Sequence, residues 1–149
     1  MTMPHRDHYP QHLADELDPP VRFKRRTLAA LRRFARTKPW QGSQDEREAK
    51  LRALHGDLSA VYAKTTALRF GILDGTDSGS SFYSLSRDEI VLSGRISVVT
   101  YLHEFAHALG KDEREAVRWS VNLFRRCFPR SFSRSIAQAH MVRRPPEPA

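Results

Sequence analysis

The chain has 149 residues, a formal net charge of +8 and 40% hydrophobic residues. That length suits one domain able to bury a core, and no run approaches the roughly eighteen apolar residues of a membrane span, so no membrane partner is expected. The opening MTMPHRDHYP lacks the apolar centre of a signal peptide, and the single cysteine, Cys127, excludes an internal disulfide. Both predict a cytoplasmic, reducing setting. A pI near 10.2 favours anionic partners.

Residues 1–20 are polar and rich in His, Pro and Asp, which predicts a flexible arm. His5, His8 and His12 in such an arm are given no metal site. From Val21 to Lys38 the pattern predicts a basic helix with Leu28, Leu31, Phe34 and Ala35 inward, stopped at Pro39. Its cations (Arg22, Lys24, Arg25, Arg26, Arg32, Arg33, Arg36, Lys38) read equally as a phosphate-contacting surface and as a solvated helix face. Ser43-x-x-Glu46 is a capping box opening a second helix to about Leu68, with Leu51, Leu54, Leu58, Val61 and Tyr62 on its buried side. Three short strands follow: Leu68 to Leu73, Ser81 to Ser86 and Glu89 to Leu92. The turn-rich DGTDSGS lies between the first two, without a phosphate loop's lysine or following helix. Arg87-Asp88 joins the last two strands as a tight turn.

Next comes VVTYLHEFAHALGKDE from Val98, a helix pattern in which Val98, Leu102, Phe105 and Leu109 form a core-facing stripe. His103 and His107 are four residues apart, so both imidazoles leave one helix face and can grip one metal ion. Val99 shares that face, beside the stripe. Glu104 adjoins the first imidazole, where a carboxylate can serve a water as general base. Gly110 is a natural stop for the helix.

A catalytic zinc takes three protein ligands and keeps an open position, so a third ligand is required. Asp112 reads as an N-cap, with Glu115 completing a capping box that opens a helix to Cys127. That leaves Glu113 without a structural task, sharing a face with Val117, Ser120 and Phe124 that would point it toward packed structure. Glu113 is the preferred third ligand; Glu115 and Asp112 are the alternatives. A last short helix is expected over Arg130 to Met141, and the tail through VRRPPEPA reads as disordered. Residues 21–140 then form one domain, with 141–149 as tail. Cys127 is spaced as a buried helix residue and is given no catalytic role.

The sequence His103-Glu104-x-x-His107-x-x-Gly110-x-x-Glu113 resembles the zincin metallopeptidases. Metzincins place their third ligand after the same glycine, gluzincins use a Glu on the following helix, and Glu113 matches both descriptions. By size and setting the chain is similar to the small peptidases of mobile elements and stress responses, including the ImmA/IrrE type. The resemblance implies a zincin-like α+β fold, mostly helical, with a small three-stranded sheet before the active-site helix. It also implies an edge strand over the metal cleft that pairs with an extended peptide, the SFYSLS segment and the Gly/Ser-rich turn forming the rim.

The implied activity is zinc-dependent hydrolysis of a cytosolic protein or peptide substrate, with Glu104 as base. Tyr83, Tyr101 and His140 are the candidates to stabilise the oxyanion. Two other readings are open: a nucleic-acid-associated protein, supported by a second group of cations at Arg118, Arg125, Arg126, Arg130 and Arg134, and a zincin-like scaffold that binds without cleaving.

Overall fold

A computed structural model describes residues 21–71, 81–94 and 96–137. The expected arm (1–20) with its histidines, the whole DGTDSGS turn, His140 and the tail lie outside these residues. The order is α1 (Arg25–Arg36), α2 (Gln44–Tyr62), β1 (Ala67–Phe70), β2 (Phe82–Ser84), β3 (Glu89–Leu92), α3 (Val98–Ala108), α4 (Glu113–Cys127) and α5 (Pro129–Ala137). The protein is thus α+β, mostly helical, with one three-stranded sheet ahead of the HExxH helix. Among the described residues no helix is long and apolar enough to cross a membrane.

Several boundaries differ from the expected ones for local reasons. The first helix starts at Arg25; Val21 and Phe23 instead pack against the core from an extended segment, the Phe23 ring 6.0 Å from Trp119. It ends at Arg36, where Lys38 takes a positive φ of 54°. The Ser43–Glu46 capping box forms as the spacing requires. The second helix stops at Tyr62 rather than Leu68, because Ala63 turns left-handed (φ 52°) and its amide returns to the Ser59 carbonyl. The β-branched pair Thr65-Thr66 then leads into β1.

In the sheet β3 is central, parallel to β1 and antiparallel to β2, so β2 lies at an edge. Asp88, at a φ of 49°, pins the β2–β3 turn: its carboxylate accepts from Thr66 Oγ1 at 2.7 Å and Tyr83 Oη at 2.8 Å. Those two hydrogen bonds hold its pKa below the usual value.

Helix α3 lies between the sheet and α4 and is buried on nearly every side. Its expected stripe is buried at Val98, Leu102 and Phe105 and partly at Leu109, and it is widened to a nearly continuous set by Tyr101 and Ala106, both fully enclosed. A helix apolar all round belongs in a core. Ser97 caps its start, accepting from the Thr100 amide at 3.3 Å. Phe105 is the hub, with His55, Tyr62, Tyr101 and Trp119 rings within 6.3 Å of it. His55 bridges α2 to α3: its Nε2–H donates to the Thr66 carbonyl at 2.7 Å, leaving Nδ1 to accept from Tyr101 Oη at 2.7 Å.

Two outcomes follow from this packing. Leu58, fully buried on α2, should cost about 2–5 kcal/mol on replacement by Ala, read as a shift in the urea midpoint; a change below about 0.5 kcal/mol would contradict the packing. Burial depresses the pKa of His55, partly countered by its bond to Thr66. Below about pH 6.5 the unfolded chain therefore takes up a proton that the folded one resists. Wild-type stability relative to His55→Gln should hold above that pH and decline as the pH falls further, in unfolding measured between pH 5 and 8. A pH-independent difference would contradict the assignment.

Candidate metal centre

The centre forms where α3 gives way to α4. Gly110, at a φ of 89°, reverses the chain: its amide returns to the His107 carbonyl at 2.9 Å and the Lys111 amide to the Ala106 carbonyl at 3.1 Å. This is the Schellman pair of bonds, and it needs a residue at ease with positive φ. No atom crowds the place a Cβ would occupy there, so backbone conformation, not space, demands the glycine. Asp112 and Glu115 form the expected capping box, with bonds of 2.8 and 3.1 Å, and open α4.

The turn does two things for the site. It brings the Lys111 carbonyl 2.9 Å from His107 Nδ1. A carbonyl only accepts, so a neutral His107 carries its proton on Nδ1 and turns the Nε2 lone pair inward. It also makes Glu113 the first residue of α4, with Oε1 at 3.0 Å from His103 Nε2 and 3.0 Å from His107 Nε2. The two Nε2 atoms stand 3.2 Å apart, their rings 85° from coplanar. Ligand atoms 2.0–2.1 Å from a tetrahedral zinc are themselves about 3.3 Å apart, so the triangle has the size of a face of that polyhedron. The donor set, two imidazoles and a carboxylate, suits the same ion. A lone pair on His107 Nε2 facing a carboxylate oxygen also calls for a proton or cation between them.

Glu104 is the remaining member. Its ligand atom and those of His103 and His107 lie within 4.8 Å of one another, near enough to bind one metal ion. His103 is 1% exposed and Glu104 6%, whereas the Glu113 side chain is 53% exposed. The third acid therefore does not point into packed structure, as the face it shares with Phe124 suggested. It stands at the border of an open groove of about 480 Å³, walled on one side by Glu104, His107 and Glu113 and on the other by Phe82, Tyr83 and Leu85 of the β2 edge. Phe82 and Leu85 are unusually exposed for their size, 47% and 84%.

Of the expected oxyanion partners, Tyr83 spends its hydroxyl on Asp88, and both burial and that bond raise its pKa. Tyr101 is enclosed behind α3, bonded to His55, with its pKa pushed well up by burial. Neither hydroxyl is turned to the centre. Lys111, which lines the groove, was not singled out by the sequence, although its place between the Schellman glycine and the N-cap was a usable signal. Asp112 and Glu115 are engaged with each other's backbone. Cys127 is half-buried at the far end of α4, its pKa raised by burial against the pull of Arg32 and Arg126. Comparisons with protein-family models, curated proteins and solved structures find no match to this chain.

Exchanging the acids one at a time separates ligand from cap. Glu113→Gln should weaken zinc binding by more than about 100-fold, beyond what loss of an outer partner produces, with little change in stability. Asp112→Ala should cost about 1 kcal/mol of stability and keep one zinc per chain. Competition with a chromophoric chelator, paired with urea unfolding, reads both. The reverse pattern would hand the ligand role to Asp112.

Proposed function

We propose that the chain is a zinc-dependent metallopeptidase, zincin-like in its catalytic helix, that hydrolyses peptide bonds of a cytosolic protein. The observation that carries this reading is the triangle of His103 Nε2, His107 Nε2 and Glu113 Oε1, 3.0–3.2 Å on a side, with His107 and Glu113 lining one groove together with Glu104. His103, His107 and Glu113 would hold the ion. A bound zinc supplies Lewis acidity, making a water more acidic and polarising the carbonyl to be attacked.

The chain's own groups do the rest. Glu104, almost wholly enclosed beside the imidazoles, takes a proton from water as its oxygen adds to the carbonyl carbon. It then passes that proton to the amine nitrogen as the C–N bond breaks, so the carboxylate is returned unchanged. Lys111 supplies positive charge in the groove as negative charge grows on the carbonyl oxygen. Strand β2 is at the sheet edge beside the groove, which suits an extended peptide paired to its backbone. Phe82 and Leu85 offer apolar contact to alternate side chains of such a peptide.

The test is a zinc-loaded chain incubated with denatured protein substrates beside Glu104→Gln. The variant should keep one zinc per chain and cleave about 10²–10⁴-fold more slowly. A wild type that holds zinc and cuts none of them would end the peptidase reading and leave a metal-binding scaffold, and a variant that cuts equally well would remove Glu104 as the base.

A further inference from the structure

The sequence contains no Asp or Glu between Asp18 and Asp45, nor between Glu115 and Glu147. The fold brings these two acid-free stretches together: α1 packs on α4, and α4 on α5. Their junction is an aromatic contact, with the Phe128 ring 6.1 Å from Phe34 and 5.7 Å from Trp40. Around it Arg36, Lys38, Arg126 and Arg130 are all exposed, each within four residues of Trp40 or Phe128. Arg32 and Arg126, from different helices, both act on the Cys127 thiol, which places them on one side of the molecule.

Trp40 itself is 45% exposed. The turn that carries it is held in place: Lys50 Nζ donates to the carbonyls of Lys38 and Gln41 at 3.0 Å each, and Pro39 is buried beneath. Cations in the last turns of α1 and α4 offset the helix dipoles, which accounts for some positive charge there. It does not account for an indole left uncovered among them. Flat aromatic surface amid cations is the combination that binds single strands, the cations meeting phosphates and the ring stacking on a base. Here the acids nearest Trp40 in sequence, Asp45 and Glu46, stand in the first turn of α2, where Glu46 closes the Ser43 capping box. A duplex keeps its bases stacked inside and gives an exposed indole nothing to cover.

We propose that this corner, with Trp40 as stacking platform and Arg36, Lys38, Arg126 and Arg130 as phosphate contacts, binds single-stranded nucleic acid. It lies at the C-terminal end of α4, about 21 Å along the helix from Glu113, and is independent of the peptidase reading.

The full chain is titrated with a twenty-residue oligothymidylate, an oligouridylate and a duplex of equal length, following anisotropy and tryptophan emission. Of the two tryptophans, Trp119 is only 5% exposed, so quenching reports Trp40. Single strands should bind more tightly than duplex and quench the emission, with a log–log salt slope of about −3 for four phosphates. Comparing the two oligomers assigns DNA or RNA. Trp40→Ala should weaken binding about 5- to 150-fold. Arg126→Glu with Arg130→Glu, exposed positions that leave the core untouched, should weaken it and flatten the slope. Equal or tighter duplex binding, absence of quenching, or unchanged affinity in either variant would overturn the proposal.

Discussion

The reversal at Gly110 is the constraint from which the centre follows. One positive-φ residue ends α3 with two backbone bonds, and the next residue's carbonyl then fixes the tautomer of His107. The capping box two residues on sets where α4 begins, and so where Glu113 stands. The His107 imidazole, its orienting carbonyl and the Glu113 carboxylate all depend on a stretch of backbone from Ala106 to Glu115. These pieces are local, and only His103 joins the triangle from outside that stretch. A loop in place of this turn would leave Glu113 free to swing, and a ligand set about 1 Å loose loses much of its affinity.

The other half of the triangle's rigidity comes from burial. His103 and Glu104 sit on the most enclosed helix of the fold, with Tyr101 and Phe105 to either side in sequence, both fully buried. Phe105, inside the HEFAH motif, is clamped by rings from α2, α3 and α4. A motif residue that touches no metal thus positions its neighbours by packing. The His55–Tyr101 bond gives the same helix a polar tether to the start of β1.

This division explains what could be read from the sequence. Capping boxes and the helix-ending glycine are decided within a few residues, and Ser43, Gly110, Asp112 and Glu115 all act in the structure as their spacing implies. Strand β3 is bounded as expected for the same reason. Contacts between distant segments were less legible. The stripe on α3 could not reveal a helix enclosed on nearly every side, since Tyr101, Ala106 and His103 look like a second face until sheet and α4 cover them. Tyr83 and Tyr101 were plausible oxyanion partners until Asp88 and His55 were seen to claim them. The start of α1 depended on Phe23 finding Trp119, a pairing that helical periodicity cannot show.

The charge distribution brings these threads together. A chain of net charge +8 is poor ground for a divalent cation, yet both acids of α4 stand in its first turn. The first turn of α4 carries Glu113 and Glu115, and its last turn Arg125 and Arg126. Glu113, Glu115, Arg125 and Arg126 each sit at the dipole end that favours their charge, with Arg114 the one cation against the gradient in the first turn, so the arrangement on balance stabilises the helix. The separation of about 21 Å exceeds the 8–10 Å screening length at ordinary salt. The basic corner would therefore hardly repel an ion at the imidazoles, and Glu113 and Glu115 would hardly repel an anion at the corner. One helix can serve two sites of opposite charge because its own dipole already prefers them where they stand.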